Sequence, residues 1–392
     1  MPAPRTRTMT ATAPRFAVRS PDVTVEEAVS ATQRDEFVRF QAECYPNDPN
    51  FVPPIIAERR DFIDARVNPF FQQARAAFFL ARRGGRVVGR IAAVVDTRYN
   101  RFHDTLDGFF GLFECQNDPG LAAALFEVAS DWVRKQGMKR LVGPVNLAFH
   151  YEAGLLVDGF DRVPSIMTPY NPRYYARLIE ANGFTQMKEL WSYELLATDF
   201  AEKLVRLADR ARKSGEVRVR RLDTRNPEND IRRIKAIFET MLKPGFGFAP
   251  MSEAEFQGVV DRLRPVIQLR PELSLIAEVG GEAVAFGIML PDMNIALKAA
   301  GGYLFPLGFA KMLWAARKIE RLRALLFGIK DGFRRRGIDA LLAHEMYKEA
   351  TRLGYTSAEV GWVSEDDKLI NRMILGTGAK RIKIYRIYER AV

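Results

Sequence analysis

The sequence predicts a mixed α/β protein built as two halves of one plan, and three observations predict it. Short apolar runs alternate with longer amphipathic stretches. The order hairpin, strand, helix, strand, helix, strand can be read twice. A charged, strongly helical stretch at 199–215 lies between the two readings. The chain is therefore divided into a basic tail (1–22), a first half (23–198) and a second half (199–392).

In the first half, 77–81 (AFFLA) and 87–95 (VVGRIAAVV) flank Arg-Arg-Gly-Gly-Arg, which reads as a hairpin. A strand at 108–115 precedes a helix at 119–136, which Gly137 stops. A short strand (140–143), a helix (171–182) and a closing strand (191–196) follow. In the second half, 274–279 and 283–290 flank Gly280-Gly281 as a second hairpin. A strand at 325–329 enters the basic turn 330–336, a helix spans 337–353, and Gly354 stops it. A strand at 356–362, a helix at 369–375 and a strand at 382–388 complete the plan.

Composition sets the outer limits. With 47% hydrophobic and 27% charged residues, the chain is an ordinary globular protein rather than a disordered or polytopic membrane one. Lys and Arg number 59 against 48 acids, a net charge of +11, which favours nucleic acid, an acidic membrane surface or a phosphate-rich ligand. No nucleic-acid motif accompanies the charge, so nucleic acid is the least expected of the three. Two cysteines, Cys44 and Cys115, and three histidines, His103, His150 and His344, make neither a disulfide framework nor an expected metal site. The first 20 residues are basic and acid-free but lack the apolar core of a secretory signal.

The most informative segment is 325–354. A strand runs through a basic, glycine-containing turn directly into a long amphipathic helix. Free N–H groups at a helix start, backed by the helix dipole, bind phosphate. Arg334, Arg335 and Arg336 add charge, and Gly337 permits close backbone approach. The corresponding turn of the first half, Cys115-Gln116-Asn117-Asp118-Pro119-Gly120, is acidic and has no arginine.

The spacing Arg334-Arg335-Arg336-Gly337-Ile338-Asp339 resembles the pyrophosphate loop of the GNAT acyltransferases, with Asp339 in place of the family's last small residue. That resemblance implies tandem GNAT-like domains, each a mixed sheet flanked by helices. It implies acyl-CoA in the second half and no metal. Phe327, Gly328 and Ile329 would line the pantetheine. Arg334 to Asp339 would hold the pyrophosphate, and Asn371 would border the pocket. The tyrosine that many GNAT enzymes use as an acid is replaced by Ile374, leaving Tyr385, Tyr388 or water for that role.

Further segments narrow the resemblance: Phe51-Val52-Pro53-Pro54, Asn68-Pro69-Phe70-Phe71, Gly143-Pro144-Val145-Asn146, Gly154-Leu155-Leu156-Val157 and Tyr170-Asn171-Pro172. They are similar to the YghO-like N-acyltransferases, a group that includes bacterial ceramide synthases. The implied reaction moves a long acyl chain from acyl-CoA to the amine of a sphingoid base such as 3-ketosphinganine. A small amine, amino acid or protein acceptor is a second reading. A non-catalytic acyl-CoA or lipid binder is a third.

Amine acylation needs a base and a donor for the developing oxyanion, but no covalent enzyme intermediate. Base candidates cluster in 146–152 (NLAFHYE), where His150 titrates near neutrality and Glu152 orients it or acts itself. Glu365 stands at the carboxyl end of a strand, where open α/β sheets place their sites. The run Ser364-Glu365-Asp366-Asp367 reads equally as a helix cap. Finally, 299–316 (AAGGYLFPLGFAKMLWAA) is apolar but broken by glycines, a proline and Lys311. With Tyr303, Phe305, Phe309 and Trp314 followed by basic residues, it reads either as a buried helix or as a contact with an anionic membrane surface. The latter would place the protein in the cytoplasm, peripheral on the inner membrane.

Overall fold

The computed structural model describes residues 15–16, 22–302 and 307–392. The first half runs β1 (Arg15–Phe16), β2 (Val23–Glu27), α1 (Ala31–Glu43), α2 (Ile56–Ile63), β3 (Ala74–Arg83), β4 (Arg86–Asp96), α3 (Thr97–His103), β5 (Asp107–Cys115) and α4 (Pro119–Lys135). It continues β6 (Arg140–Gly143), β7 (Val145–Asn146), β8 (Glu152–Ala153), β9 (Leu155–Asp158), α5 (Tyr175–Ala181) and β10 (Thr185–Leu196). The second half runs α6 (Glu202–Lys213), β11 (Val217–Arg221), α7 (Glu228–Met241), α8 (Glu253–Leu269), β12 (Ser274–Val279), β13 (Glu282–Pro291), α9 (Asn294–Ala300) and α10 (Gly308–Ala316). It ends β14 (Arg321–Ile329), α11 (Ile338–Arg352), β15 (Ser357–Ser364), α12 (Lys368–Leu375) and β16 (Lys380–Ala391).

The mixed α/β class and its large mixed sheet agree with the sequence. The two halves share one sheet, in the order β1-β2-β3-β4-β5-β6-β16-β10-β15-β14-β13-β12-β11, with β9 beside β16. The closing strands are exchanged. β16, from the end of the chain, pairs with β6 of the first half, and β10 pairs with β15 of the second. Each half contains one parallel pair, β5 with β6 and β14 with β15. Of the segment read as a basic tail, Arg15–Phe16 forms a short strand against β2, and the rest of 1–21 lies outside the described residues.

Side chains alternate across the sheet, as the two-residue strand period requires. Phe79, Ile91 and Phe110 pack with Leu121 and Leu125 of α4, whereas Phe78, Ala92 and Phe109 face the other way, toward α1 and α2. In the second half Leu275, Ala285 and Leu322 pack with Ile338 and Leu342 of α11. Ile276, Phe286 and Ile288 pack with Ile234 and Ile237 of α7. α6 lies on α11, where Ala208 and Ala211 meet Leu341.

Candidate active site

β14 and β15 run in register only from Arg321–Ser357 to Ala324–Val360, although β14 continues to Ile329 and β15 to Ser364. A bulge falls at this point, since Ile288 pairs with Leu326 and Met289 with Ala324, leaving Leu325 out of register. Beyond it the strands diverge. The peptide edge of residues 325–329 that faces β15 has no strand partner there.

β14 leads into the basic turn. Arg335 (φ +63°) and Gly337 (φ +76°) both adopt left-handed conformations, which turn the chain sharply from β14 into α11. The first helical hydrogen bond runs from Leu341 N–H to the Gly337 carbonyl oxygen, at 3.0 Å. The amides of Ile338, Asp339 and Ala340 are therefore not used by α11, and Gly337 carries no capping side chain. Arg335 and Arg336 are exposed and have no acidic partner among the described residues, whereas Arg334 is held 3.0 Å from Asp331. Gly337 is fixed by a close approach: a Cβ there would lie 3.3 Å from Ala211 Cβ on α6.

The first half has the same plan with every opening filled. β5 bulges at Leu112 (φ +47°), and its N–H donates to Asn146 Oδ1 at 2.7 Å. Asn146 in turn donates to Glu152 Oε2 at 2.7 Å, and Arg59 pairs with the other Glu152 oxygen. A Cβ on Gly111 would collide with the Val145 carbonyl, so β5 has no gap beside it there. At the helix start, Asp118 accepts from Gly120 N–H (2.9 Å) and Leu121 N–H (3.1 Å), which closes the site a phosphate would take. Further along β5, Glu114 accepts from the Tyr45 (3.0 Å) and Tyr175 (2.7 Å) hydroxyls. Burial pushes its carboxyl up to about 7, although Arg90 opposes the rise.

The loop 147–151 of the first half meets the 242–252 connection of the second beside this divergence. Phe149 lies 5.0 Å from Phe246 and 6.4 Å from Trp362, which stacks on Phe248 at 5.2 Å. His150 Nε2 is 3.0 Å from Glu255 Oε1 of α8. Burial alone would raise Glu255, but His150 and Arg98 outweigh it and hold the carboxyl at about 2. Arg98 is also 3.0 Å from Asp96, so His150 belongs to a buried ionic cluster that joins the halves.

The other candidate residues are placed as follows. Burial raises the Glu152 carboxyl, but Arg59 and Asn146 more than offset this, so its net displacement is downward and it holds a proton poorly. Glu365 Oε1 accepts from Glu189 N–H at 2.9 Å, which ties β15 to β10. Asn371 is buried, bonded to the Tyr193 hydroxyl (2.7 Å) and the Ser364 carbonyl (2.8 Å). Asp367 caps α12 by accepting from Ile370 N–H at 3.0 Å, so part of the acidic run is capping grammar. Tyr388 donates to Glu180, whereas the Tyr385 hydroxyl is buried beside Thr168. His344 stacks on Phe200 and Tyr347. Burial above all raises the Cys44 and Cys115 thiols, so neither is an available thiolate. Among the described residues, no three His, Cys, Asp or Glu side chains gather as a metal site.

No sequence motif marks the charges inside the central strands. Arg323 (β14), Glu359 (β15) and Lys383 (β16) are 3%, 1% and 1% exposed. Lys383 Nζ lies 2.8 Å from Glu359 Oε2, which also accepts from the Ser165 hydroxyl at 2.7 Å. The available signal was alternation: Lys383, Tyr385 and Ile387 share one buried face of β16, so a lysine stands in an apolar register.

Tyr303 and Phe305 lie outside the described residues. Phe309 and Trp314 sit on α10 and are 46% and 61% exposed, with Leu313 beside them at 50%. That overturns the reading of this stretch as a buried helix. Lys311, Arg317 and Lys318 are exposed around them, and Lys318 Nζ lies 3.9 Å over the Trp314 ring. No helix of the described residues is long and apolar enough to cross a membrane.

No protein-family model matches the chain. It is 33% identical over 385 residues to a bacterial ceramide synthase of Caulobacter vibrioides, covering 96% of this chain and all of that protein. It is 32% identical over 364 residues to protein YghO of Escherichia coli, covering 91% and 92%. Among solved structures, a tandem GNAT protein from the clavulanic acid biosynthesis pathway aligns with a TM-score of 0.55 at 12% identity, over 94% of this chain and 98% of that one. A GCN5-related N-acetyltransferase from Sphaerobacter thermophilus aligns at 0.52 and 14% identity, over 95% and 96%. These two structures support the fold, and the two sequence relatives support the lineage. The chain is an acyltransferase of the GNAT fold and belongs to the family of bacterial ceramide synthase and YghO.

Proposed function

We propose that the protein is an acyl-CoA-dependent N-acyltransferase that moves a long acyl chain to the amine of a sphingoid base, as the name of its ceramide synthase relative suggests. The observation that carries this reading is the uncapped start of α11, with two left-handed residues and two arginines free of acidic partners among the described residues, at the end of a strand pair that comes apart. Acyl-CoA fits what these residues offer. Arg335, Arg336 and the free amides would hold its pyrophosphate, and the edge of Phe327, Gly328 and Ile329 would pair with pantetheine. The thioester would then reach the bulge at Leu325, where a strand amide can meet the oxyanion. The amine attacks the carbonyl carbon, the C–S bond breaks, and CoA leaves as the thiol.

The first half shapes the acceptor side, because Phe149 and His150 close on the second half there. His150 and Glu255 would position that wall. Glu152 and Glu365 are each bound to other groups, so a water chain is the simpler route for the amine proton. The reading also places the protein on the cytoplasmic face of an anionic inner membrane through the exposed apolar and basic residues of α10. α10 precedes β14 and the phosphate turn follows it, so the two sites sit about 30 Å apart along the strand. Purified protein given palmitoyl-CoA and a sphingoid base is expected to release free CoA. No release with any long-chain amine would reject the reading. Sedimentation with anionic but not neutral liposomes is expected, and loss of that binding in Phe309→Ser/Trp314→Ser tests the membrane contact.

A further inference from the structure

Arg323 and Glu359 each precede the last paired residues of β14 and β15, so they stand immediately below the divergence. Leu322 and Ala324 pack toward α11 and Val360 toward α12. By alternation Arg323 and Glu359 therefore point to the opposite face. That face is covered by a first-half segment that supplies Ser165 and Thr168. Both charges lie within about 7 Å of strand from the bulge at Leu325.

A structural ion cluster this deep is expected to satisfy its own polar atoms, because burying charge is costly otherwise. This one does not. Lys383 and Ser165 hold Glu359 Oε2, while Oε1 has no hydrogen-bond partner among the described residues. Arg323 Nη1 is 3.9 Å from that oxygen, too far to bond, and both Nη1 and Nε of Arg323 are unpartnered among the described residues. Ser192 Oγ is unpartnered among the described residues as well. The cluster therefore offers one carboxylate oxygen for an N–H donor and two guanidinium N–H groups for an oxygen.

We propose that Arg323 and Glu359 form the seat for the acceptor's polar head, a primary amine with an oxygen on the neighbouring carbon. The amine donates to Glu359 Oε1 and the oxygen accepts from Arg323. Lys383 and Ser165 fix the carboxylate from behind. This rests on the acyltransfer reading above and adds the group that selects the acceptor. A site built to bond a substrate oxygen rejects the analogue lacking it, because its own buried donors are then left unpaired.

The test compares a long-chain vicinal amino alcohol with hexadecylamine as acceptors from palmitoyl-CoA, following CoA release and, separately, calorimetric acyl-CoA binding. The wild type is expected to favour the amino alcohol by about 10⁴-fold in kcat/KM. Arg323→Gln should abolish that preference while sparing hexadecylamine, and Glu359→Gln should lower turnover of both. Acyl-CoA affinity should be unchanged in each, which also shows that the variant is folded. Should a single variant lose acyl-CoA binding, Arg323→Gln/Glu359→Gln, which removes one charge of each sign, and Ser165→Ala replace it. The double variant should lose the preference, and Ser165→Ala should raise the acceptor KM. A preference that survives without Arg323, or unchanged kinetics without Glu359 or Ser165, overturns the proposal while acyltransfer stands. A wild type that releases no CoA with any amine overturns acyltransfer, and this proposal with it.

Discussion

The two halves start a helix from the same place in the same fold and end it differently. At α4 a carboxylate, Asp118, takes two of the free amides, and Pro119 removes another donor. At α11 a left-handed glycine caps nothing, and Arg335 and Arg336 stand beside it with no acidic partner among the described residues. The strand pairs differ in the same sense. In the first half Asn146, Glu152 and Arg59 fill the place that stays open between β14 and β15. A handful of polar side chains thus converts a ligand-binding frame into a structural one without changing its topology.

Breaking the filled half should cost stability and leave acyl-CoA affinity alone. The largest effect is expected from Arg59→Ala, which leaves the half-buried Glu152 carboxylate with Asn146 but no cation, at about 3 kcal/mol or slightly more in a denaturant titration. Breaking the open half should do the reverse. Arg335→Ala/Arg336→Ala is expected to weaken acyl-CoA binding by about 3 kcal/mol in calorimetry, at ~1.5–3 kcal/mol per charged hydrogen bond, with an unchanged melting temperature.

Glu114 gives a pH test of the filled half. Its carboxyl is pushed up to about 7 from an ordinary 4.5, so between those values the folded chain holds a proton that the unfolded chain has released. Stability should therefore fall as pH rises through that window, by at most about 1.4 kcal/mol per pH unit, and Glu114→Gln should remove that slope from the denaturation midpoints. The smallest effect is the cap. Asp118→Ala should cost about 1 kcal/mol of stability and create no second acyl-CoA site, because the gap beside β5 stays filled. A second equivalent of bound acyl-CoA would show that the cap alone had closed that half.

Much of this contrast was legible in the chain. The arginines and glycine before α11, and the acidic turn before α4, are local features in which backbone and charge act over a few residues. The charged cluster below the divergence was not. Arg323, Glu359 and Lys383 stand on three strands far apart in sequence, and a lone charge in a strand reads as solvent-facing until its neighbours are known. Nor does a net charge of +11 say where in the fold the charge sits. Arg323 is buried and Arg321 is paired with Asp292, while α10 and the phosphate turn lie at opposite ends of β14. Nor could local pattern show which strands would pair. The closing strand of each half was recognised, but its place in the other half's sheet depends on contacts hundreds of residues apart.

That exchange of strands bears on the order in which the chain can be finished during synthesis. β6 (140–143) and β9 (155–158) wait for β16 (380–391), which is made more than two hundred residues later. Until β16 has emerged from the ribosome, the first half has an open sheet edge, even though its helices and hairpin are complete. An open edge is a place for wrong pairing. Residues 380–391, made long after the strands they cover, are therefore the latch of the first half's sheet.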